Sequence, residues 1–178
     1  MNANPKLSRR MFAGGAAAMA LLPIAALGLP AASRPLDAAL LPGLRFHAIV
    51  VDTSPMAAKG ARAFADLMHR SLVPALAKTF ADRMAPGDAR APVLRVVIES
   101  AEFASDVGAD GDPSSDNDYL DGAGLVTGGK SQVVAAYPVL SALGVTNPSR
   151  SDSEAGHTLR AQLLAEHFSY WLRRGIGV

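Results

Sequence analysis

Apolar and polar residues alternate along residues 44–52 (LRFHAIVVD). Leu44, Phe46, Ala48 and Val50 fall on one side and Arg45, His47, Ile49 and Val51 on the other, which predicts a strand half covered at its start and central at its end. The period then changes. Across residues 57–84 the apolar positions Phe64, Leu67, Met68, Leu72, Leu76 and Phe80 recur by threes and fours, which predicts a helix with one core-facing stripe. Pro74 lies inside that stripe and predicts a kink, because it removes one backbone donor and crowds the turn before it. Residues 93–103 (VLRVVIESAEF) return to alternation, with Leu94, Val96 and Ile98 against Val93, Arg95, Val97 and Glu99. Strand, crossover helix, strand is the unit of a parallel pair, so the two strands are expected side by side.

The second half of the chain predicts a hairpin and a closing helix. Residues 119–126 and 131–139 read as two strands around Thr127-Gly128-Gly129-Lys130, whose glycines suit the positive φ angles of a tight turn. Leu120, Gly122, Gly124 and Val126 share one face of the first of these strands. The two glycines leave that face thin enough for a bulky neighbour to approach. Ser151 with Glu154 three residues later has the form of a capping box that opens the last helix. Its expected core face runs through Leu164, Phe168, Trp171 and Leu172 with Ala161 and Ala165, while Arg160 interrupts it, and Gly175 is placed to stop it. The predicted fold is an α/β (α+β) two-layer sandwich in the order β-α-β-β-β-α, a four-stranded mixed sheet with two helices on one face.

Composition narrows the chemistry more than it names it. The 178 residues carry 17 basic and 16 acidic side chains, a net charge of +1, so no global field draws the chain to nucleic acid. Cysteine is absent, which excludes disulfides, thiolate catalysis, iron–sulfur ligation and lipid attachment at a cysteine.

The first 33 residues have the three parts of an export signal. Lys6, Arg9 and Arg10 precede an uncharged run over residues 11–29, and small residues follow at Ala31, Ala32 and Ser33. Gly14, Gly15, Pro23 and Gly28 weaken this run as a membrane-spanning helix, so cleavage, after Gly28 or Ser33, is expected over anchoring. Residues 34–43 form a short leader with Pro35 and Pro42, and a single domain over 44–178 follows. No other apolar run in the chain is long enough to span a bilayer.

Candidate sites are few. The segment 105–118 (SDVGADGDPSSDND) has no apolar period and carries Asp110, Asp112, Asp116 and Asp118, with Asp121 just beyond. These five are weak calcium candidates, because the glycine falls one place late for an EF-hand loop and no glutamate closes it. A mobile, solvated acidic loop is the plainer reading. Asp52 stands at the carboxyl end of a strand, where open α/β sheets place ligands, but an Asp before Thr-Ser-Pro also serves as a turn or cap residue. Asp66 and His69 are one helical turn apart without a second ligand pair, and His157 and His167 are too far apart to meet on one helix. Gly128-Gly129-Lys130-Ser131 lacks the spacing of a phosphate loop. No cofactor is implied.

Two resemblances add to this reading. Ser8, Arg9, Arg10 and Phe12 stand where the twin-arginine translocation motif of bacteria puts them, although Ala13 and Gly14 replace its usual aliphatic residue and lysine. The resemblance implies handling by the twin-arginine export translocase and a periplasmic destination, with general secretion as the other route. The element order, with Tyr119-Leu120-Asp121-Gly122 running into Gly129-Lys130, loosely resembles the small α/β envelope domains of the TolB amino-terminal and curli secretion lipoprotein type, without the lipobox cysteine many of them carry. It implies a periplasmic binding or envelope-assembly module with an envelope protein partner. The alternative is a metal-dependent or hydrolytic enzyme using Asp52, His47 and the acidic segment, which requires those groups to converge.

Overall fold

The computed structural model of the protein describes residues 43–104, 117–144 and 153–178. Within them the chain forms β1 (Ala48–Asp52), α1 (Ser54–Ala58), α2 (Arg62–Thr79), β2 (Val93–Glu102), β3 (Asn117–Thr127), β4 (Val133–Gly144) and α3 (Glu154–Ile176). The sheet order is β1-β2-β3-β4, with β1 parallel to β2 and the remaining pairs antiparallel. This is the expected four-stranded mixed sheet. Both long helices lie on one face of it, packed on Leu94, Val96 and Ile98 of β2 and on Leu120 and Val126 of β3, all within one core.

β1 is shorter than its pattern and lies at an edge of the sheet rather than at its centre. The alternation slips at its start: Phe46 is fully buried against Phe80, yet Val50, four residues on, is exposed, and Ile49 and Val51 face the helices. Phe46 pairs with a different stretch of chain. Its N–H donates to the Arg83 carbonyl at 2.8 Å and its carbonyl accepts from the Ala85 N–H at 2.8 Å, a one-residue parallel bridge to Met84. His47 turns its N–H the other way, to the Pro92 carbonyl that leads into β2.

The single helix expected over 57–84 is divided. Gly60, at φ +92°, takes a left-handed conformation that costs other residues, and the chain restarts as α2 at Arg62. Pro74 does not end α2. It sits on the exposed side, where the carbonyl it leaves unbonded can take water, while Met68, Leu72, Leu76 and Phe80 remain buried.

The β3–β4 hairpin begins two residues earlier than its pattern suggested and contains a 3-10 turn over Gly129–Ser131. The positive φ falls on Ser131, at 58°, and not on Gly128, which is extended. Gly124 lets α3 approach as the sequence implied: a Cβ there would stand 2.5 Å from Leu172 Cδ1. α3 itself is capped by Ser153, whose hydroxyl accepts from the Gly156 N–H at 3.0 Å, and Ser151 of the expected capping box lies outside the described residues. It runs past Gly175 and ends at Gly177. Leu164, Phe168 and Leu172 are buried as expected, but Trp171 is 40% exposed and forms no part of the core.

The other face of the sheet carries no helix. In register across it lie the rows Val50–Arg95–Leu125–Ala136, Asp52–Val97–Ala123–Pro138 and Ser100–Asp121–Leu140. Leu140 is 69% exposed, and Val50 and Val134 on the same face are exposed as well. β4 is the far edge of the sheet, with Pro138 opposite Ala123 at its middle.

Candidate functional site

Among the described residues the candidates His47, Asp52 and Asp118 each have a definite place, and they do not converge. Asp52 ends β1 and turns the chain into α1. Its Oδ1 accepts from the Ser54 N–H at 3.0 Å and the Ser54 hydroxyl at 2.6 Å, and its Oδ2 accepts from the Arg95 guanidinium at 2.5 Å. The Ser54 hydroxyl foremost, and then Arg95, hold this carboxyl at a pKa of about 2. A carboxylate so occupied is a turn residue and a strand-to-strand tie, not a base awaiting a proton. Neither Thr53 nor Ser54 caps α1 through its side chain; the aspartate serves that turn, as its place before Thr-Ser-Pro suggested. His47 has a buried Nδ1 with no hydrogen-bond partner, and no bond joins it to Asp52.

The acidic segment meets the fold through Asp118. Asp110, Asp112 and Asp116 lie outside the described residues, whereas Asp118 belongs to β3 and is 1% exposed. Arg160 of α3 grips it with two nitrogens, Nε donating to Oδ2 at 2.8 Å and Nη2 to Oδ1. The same Nη2 donates to the Ala104 carbonyl, the Ala104 N–H donates to Asp118 Oδ1 at 3.0 Å, and the guanidinium lies 4.6 Å above the centre of the Phe103 ring. The carboxylate read as a calcium candidate is thus one half of a buried ion pair. Asp121 is exposed, three residues on and therefore on the opposite face of the strand, so the two cannot share a cation. Among the described residues no cluster of three His, Cys, Asp or Glu side chains is placed to hold a metal.

His167 is held at both ring nitrogens. Its Nδ1 lies 2.8 Å from the Ser141 hydroxyl of β4, and its Nε2 accepts from the Trp171 indole N–H at 3.0 Å. An indole nitrogen only donates, so Nε2 carries no proton, and in the neutral ring Nδ1 carries it and donates to Ser141. That tautomer has the wrong polarity to draw a proton from the serine, and Ser141 is fully buried. The triplet ties α3 to β4. Asp66 and His69 lie on the exposed side of α2, and His157 packs its ring at 6.0 Å from Phe103.

What the sequence did not suggest is a groove. Between β1 and α2 an apolar depression of about 200 Å³ is lined by Ile49, Val51, Val73, Ala77 and Met84. It exists because β1 is the sheet's edge and α2 stands off from it, leaving Val73 45% exposed. The groove continues the edge on which Phe46 already pairs with the Arg83 to Ala85 stretch. The signal was present in Val73 and Ala77, which lie outside the core stripe of α2.

No protein-family model matches the chain, and neither the curated proteins nor the solved structures include one similar to it at a meaningful level. No helix among the described residues is long and apolar enough to cross a membrane. The signal motif Ser8, Arg9, Arg10 and Phe12 lies outside those residues.

Proposed function

We propose that this chain is an exported, periplasmic binding or envelope-assembly module that receives an extended, apolar segment of an envelope protein in the groove beside β1. The observation that carries this reading is the coincidence of that groove with a sheet edge. A strand added to such an edge gains main-chain hydrogen bonds along its length, and its alternate side chains point toward the apolar gap against the helix. Two aliphatic side chains about 7 Å apart, the spacing of alternate residues in a strand, suit a depression of this size. The bridge from Phe46 to Met84 supports the reading, since backbone already pairs at this edge before the chain turns away at Pro86.

The twin-arginine resemblance supplies the route: the export translocase is the first partner, and the mature domain acts after the signal is removed. The resemblance to TolB-type and curli-type envelope domains agrees with a module that assembles rather than catalyses.

The test is a photo-crosslinking residue at Val73 in the intact chain, expressed in a bacterial cell with its envelope preserved. A discrete crosslinked envelope protein is expected, and Val51→Arg, which places a charge in the groove, should abolish it. A crosslink unaffected by Val51→Arg, or none at all, would sink the reading.

A further inference from the structure

We infer that a second copy of this chain covers the helix-free face of the sheet, forming a two-fold dimer by sheet-on-sheet packing. The face is largely apolar at Val50, Val93, Val97, Ala123, Leu125, Ala136, Pro138 and Leu140, with Leu140 69% and Val50 46% exposed. Its charged side chains are few. Arg95 and Asp52 are paired with each other, Glu99 is exposed at the β2 bulge with the Lys59 ammonium 4.0 Å away, Glu102 sits at the far end beside Tyr119, and Asp121 is exposed between Ser100 and Leu140.

The arrangement is self-complementary. An axis across the strands along the row Val97–Ala123–Pro138 exchanges the row on one side, Arg95–Leu125–Ala136, with the row on the other, Ser100–Asp121–Leu140. Aligned sheets pack with their strands turned by about 30°. With that turn, Arg95 comes over the partner's Asp121 and Leu125 over the partner's Leu140, twice by symmetry. Each Asp121 then gains a guanidinium that already holds Asp52, so one cation serves two carboxylates. Glu102 remains at the hydrated rim.

The size is adequate. β2, β3 and β4, about 4.8 Å apart with about nine residues of shared length at about 3.3 Å each, make a face of roughly 15 by 30 Å, to which the short strand β1 adds a further strip. Counting the relief of the side chains, this is on the order of the 800 Å² that each partner of a stable interface contributes. The face is the opposite side of the sheet from the groove beside β1, so dimerisation leaves the groove open.

Sedimentation equilibrium of the full chain from about 1 to about 100 µM tests the inference, since a dimer's population rises with concentration over such a range. Wild type should shift from monomer to dimer. Leu140→Glu and Asp121→Arg, both at exposed positions, should each raise the midpoint at least tenfold by burying a charge and by opposing Arg95, while thermal unfolding at the lowest concentration stays unchanged. A wild type that remains monomeric at the highest concentration overturns the inference. So does a dimer indifferent to both substitutions, or a different protein that occupies this face and is displaced by Leu140→Glu. None of these results touches crosslinking at Val73, so the two readings fail separately.

Discussion

Arg160 and Asp118 form a two-pronged ion pair with side chains 10% and 1% exposed, joining the second turn of α3 to the start of β3. The pair does more than neutralise two charges. Through Ala104, which gives its N–H to Asp118 and its carbonyl to Arg160, it ties the end of β2 to the start of β3 at the point where the chain leaves and re-enters the sheet.

Removing one member should therefore be costly. Asp118→Asn leaves a guanidinium buried without its anion, and a loss of about 3 kcal/mol in urea unfolding is expected. The double change Asp118→Leu with Arg160→Met should recover a large part of that loss, because no charge then remains buried. Millimolar calcium should not restore the Asp118→Asn protein. If the single and double changes cost the same, or if calcium raises wild-type stability in a way that Asp118→Asn removes, the pair is not what holds this corner.

Gly124 faces Leu172 at a distance no Cβ tolerates. Gly124→Val should destabilise by about 1–3 kcal/mol through overpacking, measured by thermal or urea unfolding. In a Leu172→Ala background the added side chain enters space the leucine has left, so the penalty should shrink or reverse. Additive costs in that double-mutant cycle would mean that the helix shifts bodily instead.

Asp52 gives the fold a specific acid response. Its carboxyl is depressed from the ordinary 3.8 to about 2, so the stability it contributes is complete above about pH 4 and is lost as pH falls through 2. Arg95 is half exposed, and screening reduces the contribution to about 1 kcal/mol. Asp52→Asn should be less stable than wild type by about that amount at pH 7, with the gap closing towards pH 2 in parallel urea titrations. A gap independent of pH would mean that the asparagine fails for its shape and not for its charge.

Replacing Arg9 and Arg10 by lysines should leave the precursor in the cytoplasm, detected by fractionation and immunoblotting. Unchanged delivery to the periplasm would exclude the twin-arginine route and leave general secretion.

The fold was legible because its patterns are clean where packing decides them. Leu94, Val96 and Ile98 alternate without exception, and the glycine pair announced close approaches that Leu172 makes at Gly124 and the neighbouring strand, at Val97 and Ile98, makes at Gly122. The errors arise where one residue answers to two demands. Val50 follows Phe46 by an even number of places, but Phe46 belongs to the Met84 bridge, so parity counted from it puts Val50 on the wrong face. Trp171 was placed in the core by its helical spacing from Leu164 and Phe168, whereas its indole N–H is spent on His167 at the surface. Asp118 looked like the last acid of a loop and Arg160 like a flaw in an apolar stripe. Both signals were there: Asp118 has the parity of Leu120 and Gly122, and Arg160 sits one turn before Leu164. A carboxylate and a guanidinium that each stand where a core residue should are evidence for one another. Of the groove only Val73 and Ala77, apolar outside the stripe, gave a sign; its width depends on how far α2 stands from β1, a distance no periodicity encodes.

β4 ends the sheet with twelve residues of strand, long enough to template the addition of further chains without limit. Pro138, at its centre, has no N–H to offer, so a strand arriving there meets a gap in the ladder midway. The chain is thereby guarded against growing into fibrils from this edge, and Pro138→Val would remove the guard while leaving the fold itself intact.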